Sequence, residues 1–545
     1  MSSPITTSPD APQPPQWNNS RGVVERIFVA GRLVLETPAH FGNGDAEGTT
    51  DIPLLFDAVD PQRPLLTGAS IAGALRNYLR EYEHGYGWAE NRAAPHPRSS
   101  RAERLFGRLD DSQPERRAAW QSWLMVDDAL GQPPAWAATE IRDGVTINPR
   151  TRTAEVEGVA DTGPGHERVK GKKYDIELLA AGTTFDLGFE FWRTNDNQDL
   201  LEALAVALDA LEQGMIGLGM RKRRGYGQCR VTGWSIQRFS MSSVDDILRW
   251  LDYHPSASGP LDQRNILDAL KVTPPSSNAR RFSLTATFEV DHSFLIRSES
   301  GTTAAPDMVH LQSWRNGQLQ PILSGTSLAG SIRGRALRIA NTLRGPQVGP
   351  TLVDSLFGRR IEEEIAASRG VVDGRDTQDD HPPTGSRLVV REVVVQGGTR
   401  NLVQGRVKLD RFTGGAYPQA LFSQQPIFST PAQRAQVKVE LSLRQPFDAL
   451  TDDRKRRNFE AEIGLLLLVL KDLWTGDLPL GGEASVGRGR LRGVEAELGW
   501  GEKTWTLRRA GDNTRLTVEG GEQAKQELQG YVDAIKEWAD DTANR

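Results

Sequence analysis

The sequence contains one short motif twice. Residues 64–80 read PLLTGASIAGALRNYLR, and residues 321–337 read PILSGTSLAGSIRGRAL. Each copy has a Gly-x-Ser-x-x-Gly core followed by an arginine three residues later, which predicts a turn that runs into a helix. The copies lie far enough apart for each half to hold a complete domain. The motif therefore predicts a duplicated fold.

Other landmarks repeat in the same order. The triplet Leu-Phe-Gly occurs at residues 105–107 and 356–358, and glycine-rich loops occur near residues 217–227 and 480–489. Each half reads as strand, helix, strand, strand, helix, strand, with a polar insertion. This order predicts an α+β protein with two ferredoxin-like (RRM-like) domains in tandem. We expect a disordered tail at 1–20, domains at 21–242 and 281–500, a linker at 243–280 and a C-terminal extension at 501–545.

Bulk composition excludes several classes of protein. A chain of 545 residues is too long for one core, and it has no apolar run long enough to cross a membrane. The single cysteine, Cys229, excludes an intrachain disulfide and a thiolate metal cluster. We therefore expect a cytoplasmic protein. The net charge of −5 is unusual for a nucleic-acid binder, but basic residues cluster at 221–224, and local clusters supply phosphate contacts.

The repeated turn has the chemistry of a phosphate-binding element. Backbone N–H groups at a glycine turn and a helix N-terminus favour phosphate oxygens. Arg76 and Arg333 follow the turns at equivalent positions and can add charge-assisted hydrogen bonds. The alternative interpretation is that each glycine turn only lets a strand and a helix pack closely.

These landmarks resemble the RAMP superfamily of CRISPR-associated proteins. The resemblance is carried by the two Gly-x-Ser elements, the two Leu-Phe-Gly triplets and the loops that end in Gly225-Tyr226-Gly227 and Gly487-Arg488-Gly489. It spans residues 21–500. The chain looks like two backbone subunits of a type III effector complex, an RNA-guided RNA-targeting assembly, fused head to tail as in type III-D-like systems.

The resemblance implies guide RNA and target RNA as ligands, other effector subunits as partners, and no membrane. In the family, a projecting hairpin called the thumb wedges into the guide–target duplex; the matching segments are 146–173 and 406–425. The residues expected to contact RNA are Gly68, Ser70, Gly73, Arg76, Arg221, Lys222, Arg223, Arg224, Tyr226, Gly325, Ser327, Gly330, Arg333 and Arg488.

The resemblance also implies cleavage of target RNA by an aspartate in the loop before each Gly-x-Ser element. Asp51 and Asp307 match, at nearly equal spacing from their motifs. Either carboxylate could hold Mg²⁺ or another divalent cation, or assist proton transfer from a ribose 2′-OH that attacks the adjacent phosphate. A loop aspartate is most often a turn or capping residue, and Asp45 and Asp57 are nearby alternatives to Asp51.

Three functions remain open at this point. The chain is a double backbone subunit that binds guide RNA and cuts target RNA at two sites, the same scaffold without cleavage, or a guide-processing endoribonuclease. The third class often uses histidine. His40 lies in the same loop as Asp51, but His292 and His310 do not align with it, and His166 lies in a thumb segment. No His/Cys cluster has the spacing of a zinc site.

Overall fold

The structure, a computed structural model, describes residues 22–42, 53–88, 100–108, 121–145, 147–148, 173–254, 260–273, 281–299, 306–358, 385–511 and 515–539. The tail predicted at residues 1–20 lies outside them. Within this part, the chain is α+β, with sheets that are mostly antiparallel.

The first half opens with a strand whose side chains alternate between core and surface, as in a sheet with one buried face. Its elements are β1 (Glu25–Leu35), β2 (Leu65–Leu66), α1 (Gly68–His84), α2 (Arg101–Phe106), β3 (Leu124–Val126), β4 (Ala129–Gln132), β5 (Thr139–Val145), β6 (Lys173–Leu179), β7 (Thr184–Arg193), α3 (Gln198–Glu212) and β8 (Cys229–Ser240).

The main sheet of this half has the order β2-β4-β7-β1-β8, and β3 also pairs with β7. β1 lies antiparallel between β7 and β8. With β3 and β4 taken as one interrupted strand, the first and third strands of the β-α-β-β-α-β unit lie at the centre of the sheet. The predicted ferredoxin-like fold is confirmed for this half.

The segment predicted as a linker contains two short helices, α4 (Val244–Leu251) and α5 (Ile266–Leu270). Ile266 and Leu270 are buried in the core of the first half. Trp234 of β8 and Gln263 exchange backbone hydrogen bonds of 2.8 and 3.1 Å. This segment therefore packs back onto the first half.

The second half repeats the arrangement with additional strands. Its elements are β9 (Arg281–Asp291), β10 (Ser293–Phe294), β11 (Arg297–Glu299), β12 (Met308–His310), β13 (Gln312–Arg315), β14 (Gln318–Leu323), α6 (Gly325–Arg344), α7 (Gly349–Phe357), β15 (Leu388–Val390), β16 (Val393–Val394), β17 (Gln404–Leu409), β18 (Ala416–Gln425), β19 (Ile427–Phe428), β20 (Gln436–Arg444), α8 (Asp453–Trp474), β21 (Arg490–Trp500), β22 (Lys503–Arg509), β23 (Leu516–Val518) and α9 (Gly521–Ala534).

The main sheet of the second half has the order β15-β20-β9-β21-β22-β23. Its first four strands reproduce the ferredoxin-like order, so the tandem is confirmed. The last two strands and α9 belong to the segment predicted as a C-terminal extension. They continue the sheet, and α9 packs on α8 through Leu528 and Tyr531, which are buried in the core of this half.

Two hairpins carry the segments predicted as thumbs. β5 and β6 pair antiparallel from Thr139–Leu179 to Val145–Lys173, and residues 149–172 between them lie outside the described residues. β17 and β18 form the second hairpin, which is described along its whole length.

A buried ionic cluster joins the two halves. Arg142 of β5 donates two hydrogen bonds to Glu392 of the second half, at 3.1 and 3.3 Å. Arg315 pairs with the same carboxylate, and Glu140 of β5 accepts the Ser313 hydroxyl at 2.8 Å. Because the Glu392 side chain is fully buried, the base of the first hairpin is fixed to the second half.

Candidate nucleic-acid interface

The two Gly-x-Ser turns fold alike. The residue before each glycine caps the helix: Thr67 Oγ1 accepts the N–H of Ser70 at 3.3 Å, and Ser324 Oγ accepts the N–H of Ser327 at 3.3 Å. The hydroxyl oxygens within each pair lie 2.9 Å apart. Ser70 and Ser327 therefore hold the first turns of α1 and α6 in the same way.

The first motif glycines are required by close packing. A β-carbon on Gly68 would collide with the carbonyl oxygen of Val126, and one on Gly325 would collide with that of Arg224. The N–H of Gly68 also donates to Asp128 Oδ1 at 2.7 Å. At these two positions, the glycine serves the packing of the helix N-terminus.

Close packing does not require the second glycine of either motif. Added β-carbons on Gly73 and Gly330 would meet no atom of the described chain within 4 Å. A glycine inside a helix costs about 1 kcal/mol relative to alanine. Both helices therefore carry the same open, side-chain-free position in the second turn after the cap.

The motif arginines have equivalent intramolecular partners. Arg76 donates to the carbonyl oxygen of Gly107 at 3.1 Å, and Arg333 donates to that of Gly358 at 3.0 Å. Arg333 also pairs with Asp354 at 2.6 Å. Each arginine thus ties its helix to the Leu-Phe-Gly turn, so the repeated triplet is explained as the anchor of the repeated arginine.

The two glycine-rich loops share one backbone although their side chains differ. Both place a 3₁₀ turn between left-handed residues, Lys222–Arg224 in the first loop and Ala484–Val486 in the second. The equivalent left-handed residues, first loop then second, are Gly219 and Gly481 (φ 80° and 80°), Arg221 and Glu483 (53° and 61°), Gly225 and Gly487 (92° and 89°), and Gly227 and Gly489 (64° and 76°).

The first loop lies against the second half of the chain. Arg223 donates to the carbonyl oxygen of Ser386 at 2.6 Å, and Arg224 is exposed beside the N-terminus of α6. Arg221 lies 4.8 Å from the ring of Tyr174. Tyr226 is buried, and this burial raises the pKa of its phenol. Of these predicted RNA contacts, Tyr226 is the one held inside the protein.

The charged side chains of the second loop are buried and pair with each other. Arg488 is buried and pairs with Glu483 at 2.9 Å. The same carboxylate accepts Gln424 Nε2 at 2.7 Å and lies 3.3 Å from Arg406 of the second hairpin. Arg488 therefore braces this loop against the hairpin. Val486, at the place equivalent to Arg224, is more than half exposed.

One of the two predicted cleavage residues is described. Asp51 lies outside the described residues. Asp307 is exposed immediately before β12, and its Oδ2 accepts the N–H and the hydroxyl of Ser423 at 2.7 and 2.9 Å. The hydrogen bond from the Ser423 N–H, then that from its hydroxyl, hold the pKa of Asp307 below its usual range. Ser423 lies on β18, so this carboxylate stands at the base of the second hairpin.

A sequence model of the RAMP superfamily matches residues 32–230 and 302–492. The chain belongs to the RAMP superfamily. The matched ranges lie within the two ferredoxin-like units, which we therefore call the first and second RAMP domains. No curated protein matches the chain. No helix in the described ranges is long and apolar enough to cross a membrane.

Two of the described histidines, His310 and His40, are buried and have internal roles, whereas His292 is exposed. His310 is buried; its Nδ1 accepts the Ile296 N–H at 3.2 Å and its Nε2 donates to the Ile322 carbonyl at 3.0 Å. Burial lowers its pKa to about 4. His40 is buried with Nδ1 2.9 Å from the carbonyl oxygen of Glu177. His166 lies outside the described residues.

The described residues contain no group of three or more acidic, histidine or cysteine side chains that could hold a metal ion. At Asp307, the available ligands are one carboxylate and the neighbouring Ser423 hydroxyl. Such a site suits Mg²⁺ only when water and substrate phosphate supply the remaining ligands, which is a common arrangement for this ion. The divalent cation expected from the sequence would therefore have one carboxylate ligand from the protein, and its binding would depend on the substrate.

The sequence predicted the second hairpin as a thumb segment, but none of its apolar residues was singled out. Phe412 is 97 % exposed at the turn, and Leu421 is 76 % exposed on β18. Lys408 Nζ lies 4.6 Å from the ring of Tyr417. The sequence signal was an aromatic residue in a polar Asp-Arg-Phe-Thr-Gly-Gly turn, which is unusual for a solvent-exposed turn.

Proposed function

We propose that this chain is a double backbone subunit of a type III effector complex, which binds guide RNA with both RAMP domains and cleaves complementary target RNA once per domain. The observation that carries the proposal is the exposed carboxylate of Asp307 at the base of a projecting apolar hairpin, in a chain whose helix-and-loop surface is repeated. Guide RNA, target RNA and other subunits of a cytoplasmic complex are the partners.

The open helical glycines support a close approach of RNA. A phosphate–sugar backbone can reach the peptide surface of a helix only where no side chain stands in its way. Gly73 and Gly330 provide that surface at equivalent places. Arg221 and the exposed Arg224 add positive charge at the edge of the first domain, and such charge attracts the RNA backbone.

The second hairpin has the properties of a wedge. An exposed phenylalanine on an antiparallel hairpin interacts weakly with water, whereas stacking of its ring on a base contributes about 1–3 kcal/mol. Phe412 at the tip is suited to displace one nucleotide of the guide–target duplex, and Lys408 on β17 is suited to approach a phosphate.

In this proposal, the distorted target strand passes beside Asp307. In the proposed reaction, a ribose 2′-oxygen attacks the adjacent phosphorus, its proton passes to the Asp307 carboxylate, and the bond to the 5′-oxygen breaks. The leaving oxygen takes a proton from water, and the products are a 2′,3′-cyclic phosphate and a 5′-hydroxyl. Ser423 holds the carboxylate in place. A bound Mg²⁺ would stabilise charge on the phosphate oxygens.

The test of cleavage uses the complete complex with guide and labelled target RNA. Asp307→Asn removes the charge and keeps the shape. Asp477→Asn is the matched control, because Asp477 is an exposed aspartate of the same domain held by the Thr475 hydroxyl at 2.6 Å but lies after α8, away from the hairpin. We expect D307N to remove one cut and D477N to remove none.

A hydrogen-bonded aspartate at a hairpin base also suits a non-catalytic scaffold, because Ser423 and Asp307 together pin β18 to β12. If D307N keeps every cut at the wild-type rate while the complex still binds guide RNA, the second domain is a scaffold. Cutting of free repeat RNA by the isolated chain would instead indicate guide processing.

A further inference from the structure

An unusual group of cations lies where the two RAMP domains meet. The end of α1 continues into Tyr86, whose N–H donates to the Gln445 carbonyl at 2.9 Å just after β20. Arg223 of the first domain and Arg444 of the second both donate to the carbonyl oxygen of Ser386, at 2.6 and 2.7 Å. Their guanidinium carbons lie 5.9 and 4.2 Å from the Tyr86 ring. Two positive groups therefore converge on one acceptor.

A third cation joins them. Lys222 is partly buried beside both arginines, and burial, then Arg223 and Arg444, lower its pKa. Within the described part of the chain, its ammonium has no hydrogen bond or ion pair. One carboxylate, that of Glu81, forms an ion pair with Arg444 at 2.5 Å. Among the described residues, three cations and one carboxylate leave an excess of positive charge in a partly desolvated place, which is costly unless an anion neutralises it.

We propose that Lys222, Arg223 and Arg444 form a phosphate site at the domain junction, which binds one backbone phosphate of the RNA as the strand passes from the first domain to the second. This inference rests on the proposed function, because it assumes an RNA that contacts both domains. A guanidinium pair and an ammonium offer several N–H donors to the oxygens of one phosphate.

The site belongs to the junction and not to each domain. The equivalent 3₁₀ turn of the second domain, Ala484–Val486, has no cation. The residue at the end of β7, equivalent to Arg444 at the end of β20, is Arg193, which pairs with Glu25 at 2.5 Å. The described part of the chain therefore forms one such site, and it needs side chains from both domains.

The test measures binding of a single-stranded RNA by the full-length chain at several salt concentrations. Lys222→Gln removes the unpaired ammonium and leaves the two arginines that hold the junction. Lys438→Gln, which changes an exposed lysine on β20, is the matched control. We expect K222Q to bind about tenfold more weakly and to lower the salt slope by about 0.7, the loss of one phosphate contact. We expect K438Q to change neither.

The outcomes separate this inference from the proposed function. If K222Q binds RNA with the wild-type affinity and slope, the junction site is overturned while RNA binding stands. If the wild-type chain binds no RNA, the proposed function fails first. A parallel thermal unfolding experiment with orthophosphate identifies the source: stabilisation of the wild type but not of K222Q, without a change in RNA slope, would overturn the RNA assignment in favour of free phosphate.

Discussion

The two glycine-rich loops have the same left-handed backbone positions and opposite surroundings. The first loop carries Arg-Lys-Arg-Arg and docks on the second domain, where Gly225 lies against the backbone of Glu392. The second loop carries Glu-Ala-Ser-Val, has no neighbour within 4 Å of a β-carbon on Gly487, and turns Glu483 toward Arg488. The glycines thus set the loop conformation, and the side chains between them determine whether the loop joins two domains or braces one.

The largest effect should come from the buried carboxylates. Glu392 links the two domains through Arg142, whereas Glu462 pairs with Arg387 inside the second domain at 2.6 and 2.9 Å. Neutralising one partner of a buried ion pair costs about 3–5 kcal/mol. We expect Glu392→Gln to separate the unfolding of the two domains into two calorimetric transitions.

Glu462→Gln is the control for that experiment. It should lower the stability of the second domain and leave the coupling between the domains intact. A Glu392→Gln protein that unfolds in one transition at the wild-type temperature would show that the ionic cluster does not hold the junction.

The next effect concerns a core position that differs between the domains. His310 in the second domain is equivalent to Leu54 in the first, since each follows its loop aspartate by three residues and both are buried. The pKa of folded His310 is about 4, whereas that of an exposed histidine is 6.5, so the unfolded chain binds a proton that the folded chain does not between these values.

Stability should therefore be complete above pH 6.5 and fall by up to about 3 kcal/mol as the pH drops toward 4. Urea unfolding across this range measures the slope. His310→Leu should flatten it, although loss of the histidine hydrogen bonds lowers stability at neutral pH. An unchanged slope in this variant would assign the acid sensitivity to other groups.

The smallest effect compares the loop glycines directly. Gly225→Ala and Gly487→Ala both place a side chain at a φ near 90°, which costs about 1–2 kcal/mol in each loop. Only the β-carbon at 225 would also meet Glu392, 2.6 Å from its backbone nitrogen. We expect G225A to lose about 1–3 kcal/mol more than G487A in the free energy of unfolding. Equal losses would mean that the first loop is not docked.

The repeat, the fold and the family could be predicted because they depend on local patterns. The Gly-x-Ser turns, the caps and the strand order all follow from residues close in sequence, and duplication doubled each signal. Contacts between distant residues could not be predicted this way. The sequence suggested Arg76 and Arg333 as phosphate ligands. Only the folded chain shows that they donate hydrogen bonds to the carbonyl oxygens of Gly107 and Gly358.

The same limit applies to the candidate site. The loop position of Asp307 followed from its spacing, but its contact with Ser423 spans 116 residues. Arg444 stands at the end of a strand with no motif around it, and its role at the junction depends on Tyr86 in the other domain. The resemblance grouped Arg488 with the basic residues of the first loop as an RNA contact, although burial against Glu483 gives it a bracing contact.

Counting the cuts in a target RNA tests the central claim most directly. The complete complex would be incubated with guide and end-labelled target, using wild type, Asp51→Asn, Asp307→Asn and the double variant. If each RAMP domain contributes one cleavage site, this chain accounts for two cuts, each single variant loses a different one, and the double variant loses both while guide binding persists. The same fragment pattern in all four proteins would contradict the account.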